Sequence, residues 1–154
     1  MGSWVLVTAL GLAAPDSKEL PLKADEVVGE WVIQTMTKGG ESVPFPQDAA
    51  DRVIVRFAAD GGVTWPDEHG KDRGAGTQSY TLDTSAKPAR IDWTRIPAPK
   101  GGPRQTALGI LTIEGDRMTL AIADDGAGRP TEFTSSKLNG TRVWVLKRVA
   151  KGKD

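Results

Sequence analysis

Three glycine-bearing stretches and one pair of serines hold the side chains best equipped for chemistry. Residues 66–72 (PDEHGKD) group Asp67, Glu68, His69 and Asp72, and His69 is the single histidine of the chain. A metal site needs imidazole and carboxylates converging on one ion. One histidine in a glycine-bearing turn cannot preorganise that convergence, so the stretch reads as a solvated turn and no metal is expected. Residues 98–104 (APKGGPR) set Lys100 and Arg104 beside glycine amides that could cradle an anion, but no helical pattern follows, so this is not a phosphate-binding loop. Residues 123–130 (ADDGAGRP) lack the D-x-D-x-D-G spacing and terminal glutamate of a calcium loop. Ser135 and Ser136 have no evident histidine partner, so no hydrolytic triad is supported. Without a convergent acid, base or nucleophile, neither a catalytic residue nor a cofactor is expected, and the chain does not read as an enzyme.

Composition narrows the classes further. The 154 residues suffice for one domain with a real core. Lys+Arg and Asp+Glu are 20 each, so no basic surplus points to nucleic acid and no acidic block forms a solvating tail. The chain has no cysteine, which excludes disulfides and thiolate chemistry. Tryptophan makes up 5 of the nine aromatic residues, an unusual share that asks for a structural reason.

The N-terminus carries an apolar run from Trp4 to Ala14, followed by Pro15 and Asp16. That length suits the hydrophobic region of a signal peptide and is too short to span a bilayer. Gly11 and Ala13 supply small residues for a cleavage pattern, although the usual preceding basic segment is missing. The competing reading is a hydrophobic first strand or a tail. Met1-Gly2 resembles a myristoylation start, but Val7 stands where Ser or Thr is wanted. The expected organisation is residues 1–14 as a signal peptide or its remnant, 15–25 as a polar tether, 26–149 as one β domain and 150–154 as a tail. An extracytoplasmic location follows from that organisation.

The body alternates apolar and polar residues with a period of two, which predicts strands. Residues 27–37 form the first. Residues 52–65 form a hairpin turning at Asp60-Gly61-Gly62, with Val53, Val55, Phe57, Val63 and Trp65 on one face. Residues 76–83 and 89–96 follow, the second setting Ala89, Ile91 and Trp93 against Arg90, Asp92 and Thr94. Residues 105–124 form a hairpin turning at Glu114-Gly115-Asp116, and 141–149 close the chain. That makes eight strands. The best helical candidate is a single turn at 46–51 (PQDAAD). In an up-and-down meander, successive connections alternate between the two ends of the sheet. Three alternate connections (60–62, 84–88 and 114–116) are short. The others (38–51, 66–75, 97–104 and 125–140) are long and rich in Gly and Pro. The predicted fold is therefore all-β: an eight-stranded antiparallel up-and-down barrel, tight at one end and rimmed by loops at the other.

The first strand opens with Gly29-Glu30-Trp31, and closure of the barrel would bring Lys147 or Arg148 beside Trp31 at the tight end. A tryptophan capped by a cation is a good plug, and glycine allows the bend. This resembles the lipocalin signature. The order GEW, a D-G turn, YTLDTSAKPARID, LGILTIEGDRMTLAIA, RPTEF and VWVLKR resembles more closely a lipocalin-like domain family abundant in planctomycete bacteria, over roughly residues 26 to 149. Leu111 departs from the tyrosine anticipated there. The resemblance implies the fold and a secreted context; it brings no catalytic residues.

On this reading the interior is reached from the loop end. Phe45, between Pro44 and Pro46, is placed like a lid. Trp65 lies at the mouth, Tyr80 and Trp93 lie deeper, and Arg95 sets a cation near the rim. These five residues would suit a small apolar or amphipathic ligand with an anionic head. The alternative is a filled barrel that binds a protein partner through its loops or outer face. Neither nucleic acid nor a membrane span enters either expectation.

Overall fold

The computed structural model describes residues 22–65, 78–95, 105–123 and 127–150. Within them, one helical turn α1 (Ala24–Val27) precedes nine strands. These are β1 (Gly29–Lys38), β2 (Glu41–Pro44), β3 (Ile54–Phe57), β4 (Gly62–Thr64) and β5 (Gln78–Asp83), then β6 (Ala89–Arg95), β7 (Gln105–Glu114), β8 (Arg117–Ala123) and β9 (Thr141–Arg148). From β3 to β9 each strand pairs antiparallel with the next, and β1 closes the circle by pairing with both β3 and β9. The result is the expected closed eight-stranded antiparallel barrel, with β2 as an added ninth strand. Closure leaves no open edge on the eight.

β1 is the seam, and it changes neighbours half-way. Gly29–Val32 pair with Phe57–Ile54 of β3, whereas Thr35–Lys38 pair with Pro44–Glu41 of β2. A β-bulge between Ile33 and Thr35 marks the change. There Ile33 N donates to Val53 O at 2.9 Å, while Gln34 O accepts from Phe45 N at 2.9 Å. The 38–51 connection, expected as one long loop, thus begins as a tight hairpin. Gly39 and Gly40, at φ +59° and +82°, supply the left-handed pair that a two-residue hairpin turn requires. Phe45 N faces β1, so the ring nitrogen of Pro44 faces away; the outer edge of β2 lacks a donor there, which blunts it against further pairing. The helical turn expected at 46–51 is instead an irregular turn in which Asp48 O accepts from Asp51 N and Arg52 N. A helical turn forms at 24–27, in and just past the segment read as a polar tether. Leu22 packs against the core and Val27 is fully buried.

The short connections lie at the end where β1 starts and β9 finishes. That end is plugged by Trp31, which has no exposed surface. Its indole N–H donates to Val27 O at 2.9 Å, and the Arg148 guanidinium sits 4.2 Å from its ring centroid. Arg148 also donates to Glu26 O at 2.6 Å and, at 3.5 Å, to Val28 O. Of the two cations expected here, Arg148 is the one paired with Trp31 in register. Gly29 stands at φ +132°, a conformation that side-chain-bearing residues rarely adopt. A Cβ there would meet Arg148 Nη1 only at 3.7 Å, so the backbone angle and not crowding calls for glycine.

The long β8–β9 connection runs back across the outer wall. Phe133 covers Ile110, Ala121 and Val143 on the outward rows of β7, β8 and β9. Arg129 donates to Gly109 O at 2.8 Å and Ile91 O at 3.1 Å, and pairs with Asp92. The 129–133 segment is therefore a strap tying that connection to β6 and β7. Beneath it, a Cβ on Gly109 would approach Ala121 O to 2.6 Å and the Ile91 side chain to 3.0 Å.

Three stability outcomes follow. Trp31→Ala should lose about 3–5 kcal/mol, as large core truncations do. Arg148→Ala should lose about 2 kcal/mol, since the cation–π contact and charged hydrogen bonds to backbone go together. Gly109→Ala should lose about 1–3 kcal/mol by overpacking against backbone that cannot retreat. Urea unfolding followed by far-UV circular dichroism measures all three; an unchanged midpoint for Trp31→Ala would contradict the plug.

Candidate functional site

Inside the barrel, the inward rows carry most of the aromatic side chains, and their rings touch in one continuous line. Tyr80 meets Phe57 at 5.3 Å between centroids, and Phe57 meets Trp93 at 5.7 Å. Trp93 meets Trp65 at 5.3 Å, Trp65 meets Trp144 at 4.8 Å, and Trp144 meets Phe45 at 6.1 Å. The first four contacts are edge-to-face, the favourable arrangement for ring quadrupoles. Burial falls along the line. Phe57, Tyr80 and Trp93 belong to the buried core, whereas Trp65, Trp144 and Phe45, toward the loop end, are partly buried. The line answers the compositional question, because three of the five tryptophans belong to it and a fourth is the plug.

Trp65 and Trp144 approach each other from separate walls. β4 and β9 have β1 and β3 between them, about 14 Å of wall at the usual strand spacing of about 4.8 Å. Their 4.8 Å ring contact therefore crosses the lumen. Phe45 rests on Trp144 from the segment after β2, and Gln47 holds that segment down. The Gln47 amide donates to Ile33 O at 3.1 Å, beside the β1 bulge, and to Phe45 O at 2.9 Å. Two polar groups of the inward aromatic residues are satisfied. Trp93 Nε1–H donates to Gln78 Oε1 at 2.6 Å, and the Tyr80 hydroxyl donates to Ala58 O at 2.9 Å.

Of the five residues expected at the site, the structure brings Phe45, Trp65, Tyr80 and Trp93 into this one line. Arg95 ends β6 opposite Gln78 and Gln105 in register, but its side chain lies outside the described residues. The sequence reading missed Trp144, which joins Trp65 to Phe45. It also missed Arg142, two residues earlier on the same inward row of β9. Parity was the available signal: Leu146 and Trp144 share a row, and Arg142 extends it.

The 66–72 and 98–104 stretches lie outside the described residues, as do 124–126 of the 123–130 stretch. Among the described residues, no group of three or more His, Asp or Glu side chains could hold a metal ion, and no helix is long and apolar enough to cross a membrane. Comparison with models of protein families, with curated proteins and with solved structures finds no match to this chain.

Burial raises the pKa of Tyr80, and the negative charge of Asp60 raises it further. Tyr80 is the only tyrosine, so tyrosinate absorbance reports this site alone. The midpoint in the folded protein should lie above the ordinary value of about 10 and return to it in denaturant. Because the folded pKa is the higher one, the stabilisation is complete below about pH 10 and is lost as pH rises through the folded pKa. A folded midpoint at the denatured value would show that the phenol is not held in the core.

Proposed function

We propose that this chain is an extracytoplasmic lipocalin-like binding module that takes a small apolar or amphipathic ligand at the loop end of its barrel. The observation that carries the proposal is the graded aromatic line. Its buried lower half fills the barrel and its half-buried upper half, Phe45, Trp65 and Trp144, leaves ring surface at the mouth. Partly exposed aromatics held on a strand, as Trp144 is, or directly at a strand's end, as Phe45 and Trp65 are, are strong ligand contacts because little side-chain freedom is lost on binding. The ligand would lie against this upper surface, above Trp93, and not in a deep calyx. No catalytic residue enters this reading. The extracytoplasmic location rests on the apolar run Trp4–Ala14, and membership of the planctomycete lipocalin-like family rests on the G-x-W plug and the motif order.

A second reading has its own observation. The Trp65–Trp144 contact across the lumen is what a filled barrel would have, leaving the loops or outer wall to meet a protein partner.

Titration with 1-dodecanol, followed by tryptophan fluorescence, separates the two. The binding module should give a saturable one-to-one change, and Trp144→Ala should weaken it about tenfold by removing one aromatic wall. A wild-type protein that shows no saturable change would leave the filled barrel as the reading.

A further inference from the structure

The chain is electrically neutral, and the outward rows of the barrel strands carry both signs of charge, Arg56, Arg90, Arg117 and Lys147 among them, but the acids are confined to that side. On the described parts of the eight barrel strands, Glu30, Asp83, Asp92 and Glu114 all fall on outward rows. The inward rows carry basic residues and no acid. Arg148 is committed to the plug at the closed end. At the loop end, Arg142 on β9 stands directly opposite Lys38 on β1, two pairs beyond Trp144 and Met36. Arg142 Nε is buried, so this cation is set into the wall and not merely fringing it. The side chain also has a contact within the protein, which an arriving anion would share or displace. Lys38 is exposed, and Glu41 of β2 lies beside it in register, which makes Arg142 the stronger of the two cations for a ligand.

We infer that Arg142, assisted by Lys38, receives the anionic head of an amphipathic ligand whose apolar body lies on Trp144, Trp65 and Phe45. The inference rests on the binding reading above and adds the ligand class, a single-chain carboxylate or comparable anion. Geometry supports it, because a head beside Arg142 leaves the body next to Trp144 on the same row. A guanidinium suits the head because its fork can meet a carboxylate with two parallel hydrogen bonds. The low-dielectric wall strengthens the attraction over what it would be in water.

The test compares laurate, 1-dodecanol and dodecylamine on the whole protein, by tryptophan fluorescence at neutral pH. Wild type should bind laurate about tenfold tighter than dodecanol, and dodecylamine weakest. Laurate binding should weaken between about 50 mM and 500 mM salt, with dodecanol unaffected. Arg142→Gln should bring laurate down to the dodecanol level and leave dodecanol within about twofold; Arg142→Lys should retain part of the preference. Equal wild-type affinities for laurate and dodecanol would overturn the inference and leave the binding module standing. An equal loss of both in Arg142→Gln, with circular dichroism unchanged, would also overturn it, by making Arg142 a support for the aromatic wall. If Arg142→Gln fails to fold, the wild-type head-group order and its salt dependence decide alone. Failure of all three compounds to bind would remove both the inference and the reading beneath it.

Discussion

The contact between Trp31 and Arg148 holds the rest of the structure in place. A meander of short hairpins can form locally, but it becomes a barrel only when its first and last strands meet. Arg148 bonds Glu26 across 122 residues of chain, so closure is the most entropically demanding pairing in the fold. The reward is concentrated at one point. A large ring loses all its exposure, its N–H is satisfied by Val27 O, and a cation caps its face while bonding the backbone that leads into β1. Gly29 is the hinge that makes this possible, because the chain must turn from α1 into β1 directly under the guanidinium.

Once β1 and β9 are joined at that end, the β1 bulge decides what faces the lumen at the other. Below it, Trp31 and Ile33 are the buried, inward residues of β1. The extra residue, Gln34, shifts the alternation by one, so that Met36 and Lys38 stand opposite Trp144 and Arg142. Without the shift, Thr35 and Thr37 would hold those places. The same bulge frees one edge of β1 from β3 and gives it to β2, and the chain leaving β2 delivers Phe45 to Trp144. One irregularity thus places both the cation pair and the aromatic lid.

Much of this architecture was legible in the sequence because period-two alternation was clean wherever only one face is buried. β8 reads without ambiguity because Met118 and Leu120 alternate with Arg117 and Thr119. β9 did not, since Val143 and Val145 are apolar on the row opposite Trp144 and Leu146. That second row is apolar because Phe133 covers part of it, a tertiary fact that local pattern cannot show. Trp144 and Arg142 were lost from the site for that reason. β2 was hidden because Glu-Ser-Val-Pro has little strand propensity; Gly39-Gly40 was its one signal. α1 was hidden because one turn is too short to display a helical period. The plug was legible because it depends on residue identity at the two ends of the chain, and those ends are brought together by any closed barrel.

The lumen poses an energetic question that the plug and the bulge leave open. Trp65 and Trp144 are already in contact, so a ligand that entered between them would have to displace a ring pair valued at about 0.5–1.5 kcal/mol beyond its buried area. An alkyl chain burying about 200 Å² of apolar surface gains about 5 kcal/mol. Association itself costs about 4 kcal/mol or more in lost freedom. These terms nearly cancel, so insertion between the rings gains little, and the exposed ring surface at the mouth is the place for an apolar body. The balance is tipped by something that displaces no ring. A charged hydrogen bond of about 1.5–3 kcal/mol at the rim is such a term, and the inward face of β9 places Arg142 where it can act. On the proposed reading, a barrel filled with tryptophan is still able to hold a ligand at its rim, and a charge on that ligand adds to what the rings supply.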